Sequence, residues 1–297
     1  MKIDFLAIGE LLADVISADY CDSLETATFF QRFQGGSPSN VAANVKWLGK
    51  NADVVSCVGD DGIGRFLIAE IKRIGISGQY IQINKVQPTS IVLVTKSRGT
   101  PDFIAYRTAD AHLSEVEESL IDSAAILHTT AFALSQEPSR GVILRAFEKG
   151  KESEKQLSVD WNFAPSIWGA DNGKEVFKQL ADLEVFLKIS IDDMERFTRK
   201  GVSIEACKDF LEAYQFSFIC LTCGKVGVWY KELTGQWKFK PSVPVEEVMD
   251  TTGAGDAFWA GFIVAYTDKK SFDDCIQNGL TVAAKKIQKQ GPLYGGK

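Results

Sequence analysis

The chain has 297 residues, a formal net charge of −6, and 45% hydrophobic against 24% charged residues. That is enough apolar material for a sizeable core, in one large α/β domain or two smaller ones. The acidic balance and the lack of any lysine or arginine block exclude nucleic acid as the main partner, because neutralising a phosphate backbone needs a basic face.

No window approaches the roughly twenty apolar residues of a membrane span, and the apolar run within 1–9 is too short for a signal peptide. No membrane association and a cytoplasmic location are therefore expected. Six cysteines, at 21, 57, 207, 220, 223 and 275, show no framework, which suits a reducing compartment. Cys220-Leu-Thr-Cys223 ends a strand-like run and reads as buried strand before it reads as a zinc or redox site. With only His112 and His128 present, histidine metal sites and His-dependent triads have little material.

Short apolar runs alternate with helical patterns along the chain. Strands are expected at 3–8, 53–58, 125–128, 157–160, 185–189 and 218–222, and helices at 40–48, 64–74, 140–149, 173–180, 191–198 and 204–214. The alternation implies a largely parallel sheet covered on both faces. Two stretches break it, 16–34 and 86–107, the second rich in β-branched residues. Each is expected to form a hairpin or strand pair projecting from the main sheet, so that together they build a second, small sheet. With no Pro/Gly/Ser linker, low-complexity segment or repeat, 1–297 reads as a single domain carrying these insertions.

After 241–249, which alternates loosely like a strand ending, comes Asp250-Thr-Thr-Gly-Ala-Gly-Asp-Ala-Phe258. The glycines permit a tight turn and leave backbone N–H groups unobstructed. At the positive end of a helix expected over 254–266, Gly253, Ala254 and Gly255 form an anion hole. Asp256, in the first helical turn, is expected to stay ionised there through the helix dipole and to take the proton of an attacking hydroxyl in phosphoryl transfer. The plainer reading is a glycine-rich N-cap whose aspartate only stabilises its helix.

This string resembles the C-terminal signature of the pfkB carbohydrate kinases, within the ribokinase-like superfamily. Roughly two hundred residues earlier, Gly35-Gly-Ser-Pro-Ser-Asn40-Val-Ala-Ala-Asn-Val-Lys-Trp-Leu-Gly49 and then Val58-Gly-Asp-Asp-Gly-Ile-Gly64 are similar to the family's N-terminal signature. The resemblance implies an α/β ribokinase-like three-layer sandwich with a small β-sheet lid over the sugar. It also implies ATP and Mg2+ as cofactors, K+ in many members, and often a homodimer formed through the lid.

On the sugar side, Asp14 in Gly9-Glu-Leu-Leu-Ala-Asp14 follows the first strand, where ligands of such sheets gather, and can accept two hydroxyl hydrogen bonds. It resembles the family's sugar-binding aspartate, although an aspartate after a strand is commonly a turn former or cap. Gly35 and Gly36 let backbone approach a ligand, and Asn40 offers a donor and an acceptor, or else an N-cap. Arg107 resembles the lid arginine that reaches substrate or phosphate, with a spacing to Asp110 shorter than in fructokinases; a surface arginine is the bland alternative. Asn162 belongs to Asp160-Trp-Asn-Phe-Ala-Pro-Ser-Ile-Trp168, similar to the Asp-x-Asn-x-Arg-Pro-x-x-Trp element of sugar kinases. Ala164 stands where that element has arginine, which argues for a neutral sugar.

On the nucleotide side, Lys188, Ser190 and Asp193 fall on the family's Asn-x-x-Glu region, with Ser190 for the asparagine and Asp193 for the glutamate. Asp193 would hold a magnesium-bound water, its bland alternative being an acidic first turn of a helix. Thr222, Gly224 and Gly227 resemble the loop bordering the ATP phosphates and ribose, and Asn278 the helix beside adenine. Asp250, Thr252 and Gly291 match the K+ region. No P-loop and no dinucleotide fingerprint is present.

The sequence thus predicts an ATP-dependent kinase acting on a primary hydroxyl of a small neutral sugar, most like the fructokinases. Ribose, another neutral ketose or 2-keto-3-deoxygluconate is the alternative acceptor, and phosphosugars rank lower because no extra basic cluster accompanies the sugar residues. A different class, a sugar-sensing protein with weak turnover, is suggested by the departures at Ala164, Ser190 and Asp193.

Overall fold

The structure is a computed structural model that describes residues 2–97, 102–199 and 201–294. In chain order the first half contains β1 (Ile3–Ile8), β2 (Leu12–Tyr20), β3 (Phe30–Gly35), α1 (Ser37–Trp47), β4 (Ala52–Gly59), α2 (Gly62–Ile74), β5 (Ile81–Asn84), β6 (Ile91–Lys96) and β7 (Phe103–Tyr106). Next come α3 (Glu118–Ser123), β8 (Ala124–Thr130), α4 (Ser139–Glu152), β9 (Gln156–Asp160), α5 (Pro165–Trp168) and α6 (Lys174–Asp182). The chain continues through β10 (Phe186–Ser190), α7 (Ile191–Thr198), α8 (Ile204–Glu212), β11 (Phe218–Thr222), β12 (Gly227–Glu232), β13 (Lys238–Pro241), α9 (Ala254–Thr267) and α10 (Phe272–Ile287).

Among the described residues, nine strands form the main sheet in the order β13-β12-β11-β10-β9-β8-β1-β4-β5. It is parallel from β5 to β11 and antiparallel at β11-β12-β13. Successive side chains of a strand point to opposite faces, and β1 shows the consequence. Leu6 and Ile8 join the core packed by α3, α4, α6, α7 and α8, whereas Phe5 and Ala7 join the core packed by α1, α2, α9 and α10. The result is a three-layer sandwich.

The helix that carries the glycine-rich string is apolar on nearly every side because it is covered on nearly every side. In α9, Trp259, Phe262 and Ile263 are fully buried, and Trp259 Nε1 donates to Ser158 Oγ of β9 at 2.9 Å. Its neighbour α10 packs so closely that a Cβ on Gly279 would come 2.8 Å from the Phe258 carbonyl oxygen. Each large buried side chain of this kind contributes about 1.5–3 kcal/mol. The packing fixes where the first turn of α9 points.

The second sheet, ordered β3-β2-β6-β7, is the projecting one. The expected insertions are there, with one boundary corrected: the first starts at Leu12 rather than at 16, because only three residues separate β1 from β2. Asp14 therefore sits within a lid strand and not in a loop after β1. Three strands of the main sheet escape the sequence pattern. β5 and β13 have four residues each, and all three strands, β12 included, lie at or near the edges, where one-sided burial blurs the apolar run. The stretch 241–249 is not a strand ending: β13 stops at Pro241 and the following segment is irregular.

Candidate active site

Gly253 is the N-cap of α9, with φ of 72°, a left-handed conformation that a side chain would strain. Among the described residues no side chain caps this end. The Ala254 N–H is taken by the Thr251 carbonyl at 3.1 Å, which corrects the expectation of a three-amide hole and leaves the Gly253 and Gly255 amides to face an anion. Asp256, one turn in, is gripped by residues more than two hundred positions away: Ser37 Oγ donates to Oδ1 at 2.7 Å and Asn40 Nδ2 to Oδ2 at 3.1 Å. Both come from the start of α1, which begins behind Gly36 and carries Pro38 in its first turn. Gly36 has φ of 99°, and a Cβ there would lie 2.3 Å from the Glu10 carbonyl oxygen. Only glycine closes this turn.

Burial raises the Asp256 pKa, against the hydrogen bonds from Ser37 and Asn40 and the charges of Lys188 and Lys286. The helix dipole expected to keep this carboxylate ionised is opposed by loss of water, the largest influence on it. A carboxylate raised in this way is a better proton acceptor than an ordinary one.

The residues that the resemblance assigns to the sugar lie under β2 and β3. Asp14 stands against Gly35, whose Cβ would come 2.4 Å from Asp14 Oδ2, and among the described residues no donor occupies its carboxylate. Burial and then the Asp256 charge push its pKa up to about 7. Glu10, only 2% exposed, accepts from Ser37 N at 3.1 Å and Thr130 Oγ1 at 3.0 Å. Burial raises it to about 8, against the charge of Arg107. Asn40 is not free for a sugar on its acceptor side, because Oδ1 takes bonds from Gln34 Nε2 at 3.1 Å and Tyr294 Oη at 3.0 Å. Asn162 Oδ1 accepts from Phe132 N at 3.1 Å.

Arg107 is neither a surface arginine nor a free one. Its side chain is 2% exposed, Nε donates to Asp110 Oδ2 at 2.8 Å, and the remaining nitrogens reach Asp110, the Phe132 carbonyl and Ser135 Oγ. Asp110 in turn accepts from Ser90 Oγ. The short spacing to Asp110 is what closes this pair, three residues apart on one turn.

The residues that the resemblance assigns to the phosphates centre on Lys188, from β10. Its Nζ bonds Asp160 Oδ2 at 2.6 Å and lies 3.1 Å from where a Cβ on Gly255 would be, so its charge sits beside the anion hole. Burial disfavours the ammonium, yet Asp160, Asp193 and Asp256 together raise its pKa and keep it charged. Ser190 and Asp193 form a capping box on α7: Ser190 Oγ accepts from Asp193 N at 3.0 Å and Asp193 Oδ2 accepts from Ser190 N at 3.1 Å. Arg196 engages Asp193 Oδ1 at 2.5 Å. A single carboxylate so occupied fits a magnesium ion only through that ion's own waters, with phosphates supplying the direct ligands.

Thr222 ends β11, and Gly224 and Gly227 bracket the turn into β12; a Cβ on Gly227 would be 2.2 Å from the Lys240 carbonyl oxygen. Asn278 Nδ2 donates to the Gly261 carbonyl at 2.7 Å, tying α10 to α9. Asp250, Thr252 and Gly291 do assemble: Thr252 N and Gly291 N donate to the Asp250 carboxylate at 2.9 and 3.1 Å. At its centre is the Lys286 ammonium, 3.1 Å from the Asp250 carbonyl oxygen and 3.2 Å from Oδ2.

With this geometry in view, the model of the pfkB family carbohydrate kinases matches residues 2–295. The chain belongs to that family. The ATP-dependent 6-phosphofructokinase of Thermoanaerobacterium thermosaccharolyticum is 37% identical over 98% of this chain and 90% of its own. The 2-dehydro-3-deoxygluconokinase of Bacillus subtilis is 30% identical over 99% and 93%. The solved fructokinase of Halothermothrix orenii superposes with a TM-score of 0.83 at 30% identity, covering 95% of this chain and 98% of that one. The fold is the ribokinase-like one, and among the described residues no helix is long and apolar enough to cross a membrane.

Within this pfkB kinase, sequence reasoning missed Glu10, Ser37, Tyr294 and Lys286. Ser37 stands inside the Gly-Gly-Ser-Pro string, where a hydroxyl behind two glycines is the available signal. Lys286 had a stronger one, since it stands two helical turns after Gly279 on the face of α10 packed against α9, where a lysine has no business unless it is paired. Tyr294 Oη donates to Gln34 Oε1 at 3.0 Å as well as to Asn40. Nothing local marks that contact.

Proposed function

We propose that the protein transfers the γ-phosphoryl group of ATP to a primary hydroxyl of a fructose-type ketose, with fructose as the acceptor. The observation that carries this reading is the buried Asp256, held on both oxygens from α1 and set beside the open amides of α9. In that reading Asp256 takes the hydroxyl proton, and the amides of Gly253 and Gly255, with Lys188, stabilise the charge on the transferring phosphate. Mg2+ supplies phosphate-bridging charge when bound, and Asp193 would hold one of its waters. Asp14 accepts sugar hydroxyls, assisted by Asn162 and the backbone at Gly35 and Gly36. The β11–β12 turn with Thr222, Gly224 and Gly227 borders the nucleotide, and α10 near Asn278 flanks its base.

A neutral acceptor is supported by the state of the cations, since Arg107 and Lys188 are each paired to a buried carboxylate and the sugar side presents Glu10 and Asp14. The 37% identical relative named as a 6-phosphofructokinase favours a second reading, fructose 6-phosphate, in which the same base serves the other primary hydroxyl. The six cysteines are free thiols, which supports a reducing, cytoplasmic setting. Exposed Phe33, Phe103, Ile104 and Tyr106 on the lid sheet support a homodimer through it.

The test is ADP release from ATP and Mg2+ with fructose, fructose 6-phosphate, ribose and 2-keto-3-deoxygluconate in parallel. Fructose-dependent turnover is expected. Turnover confined to fructose 6-phosphate replaces the acceptor and keeps the mechanism. Silence across the panel with sugar binding retained favours a sugar sensor.

A further inference from the structure

We infer that the Lys286 ammonium is the built-in cation of the loop preceding the anion hole, so that this kinase needs no monovalent metal ion there. The residues that the resemblance assigns to K+ do converge, but Lys286 Nζ contacts both the carbonyl oxygen and the carboxylate of Asp250 at 3.1 and 3.2 Å. A K+ ion needs oxygen ligands turned toward it. Here Thr252 and Gly291 turn N–H groups toward the same carboxylate, and the lysine supplies the positive charge. Lys286 is 3% exposed, so its charge is not one that merely drifts past on the surface.

The ammonium also closes a connected frame. Met249 N and Asp250 N both donate to the Ile287 carbonyl, at 2.8 and 3.2 Å, so the residue next to Lys286 holds the same loop by its backbone. Asp250 leads within three residues to Gly253, the N-cap of α9. Burial opposes ionisation of Asp250, but the Thr252 amide, the Lys286 charge and the Gly291 amide lower its pKa below the ordinary aspartate value. Lys286 further lowers the Asp256 pKa against burial. It is thus a positioning residue, acting through Asp250 on the amides and through space on the base. This role rests on the kinase reading above.

The experiment compares wild type and Lys286→Ala in buffers whose only monovalent cation is tetramethylammonium, with and without about 100 mM K+. Wild-type turnover should change by less than roughly twofold, while Lys286→Ala should lose about tenfold or more without K+ and regain most of it with K+. Melting temperature should follow the same pattern, rising with K+ in the variant alone. A wild type strongly activated by K+, or a variant as active and stable as wild type without it, overturns the inference. If Lys286→Ala does not fold, Lys286→Met together with the wild-type K+ profile decides. If no sugar supports turnover in any protein, the kinase reading fails, and the melting comparison still reads the cation replacement separately.

Discussion

On the proposed phosphate side, Lys188 stands beside the first turn of α9 and Lys286 holds the loop that leads to it, each bonded to a carboxylate. On the proposed sugar side, Glu10 and Asp14 are carboxylates with no ion-pair partner among the described residues, pushed to about 8 and about 7. The first arrangement is complete before any substrate arrives, as preorganised stabilisation of phosphate charge requires. In the second, both Glu10 oxygens already accept hydrogen bonds while Asp14 has no donor among the described residues, and hydroxyl groups of a sugar are donors of the right kind for it. Leaving carboxylates short of partners costs stability, so the contrast marks where the fold has given way to function.

The contrast can be broken most severely at Lys188. Lys188→Met strands the Asp160 carboxylate in a dry site where its Oδ1 already has no partner, and should cost about 3–5 kcal/mol in denaturant unfolding. Next comes Asp256→Asn, which keeps the shape but removes the proton acceptor. Turnover should fall on the order of a hundredfold or more while the sugar dissociation constant stays nearly constant; near-normal turnover would remove Asp256 as the base.

Asp14→Asn should raise KM for the sugar about tenfold with a smaller change in kcat, the loss of one charge-assisted hydrogen bond or two. The same side predicts a pH signature. Asp14 and Glu10 titrate near 7 and 8 in the folded protein against ordinary values of 3.8 and 4.5. The folded state therefore keeps protons that the unfolded chain has released, so these groups make stability fall as pH rises from about 4 to about 8. Glu10→Gln should flatten that part of a melting-temperature profile, and saturating sugar should shift the Asp14 share of it downward in pH. The smallest effect expected is at Ser190→Ala, about 1 kcal/mol from loss of the α7 cap. An ATP KM altered many-fold without that destabilisation would mean that Ser190 serves the nucleotide and not the helix.

How much of this was legible depends on the reach of each interaction. The alternation of strands and helices, the lid insertions and the Asp250–Phe258 string are local patterns, and local patterns survive in a sequence. The capping box of Ser190 and Asp193 is also written in four consecutive residues, but only its acidic first turn was anticipated. Arg107 was expected to reach substrate or phosphate, and its pairing with Asp110, three residues on, was not foreseen; which way the side chain turns depends on the Phe132 and Ser135 loop, which no neighbouring residue reports. Ser37 on Asp256, Glu10 on Thr130 and Tyr294 on Gln34 join positions 219, 120 and 260 residues apart. Such pairs exist only once the sheet has been laid out.

That separation has a consequence for how the molecule comes to be. Asp256, the proposed base, is clasped by α1 from the first fifty residues and carried on α9 near the other end, while β1 must lie between β4 and β8 before the two can meet. Contacts this distant in sequence form late and slowly, after loop-closure entropy has been overcome many times. During refolding, secondary structure and collapse should therefore appear well ahead of catalysis, and a partly folded chain is not a partly active one.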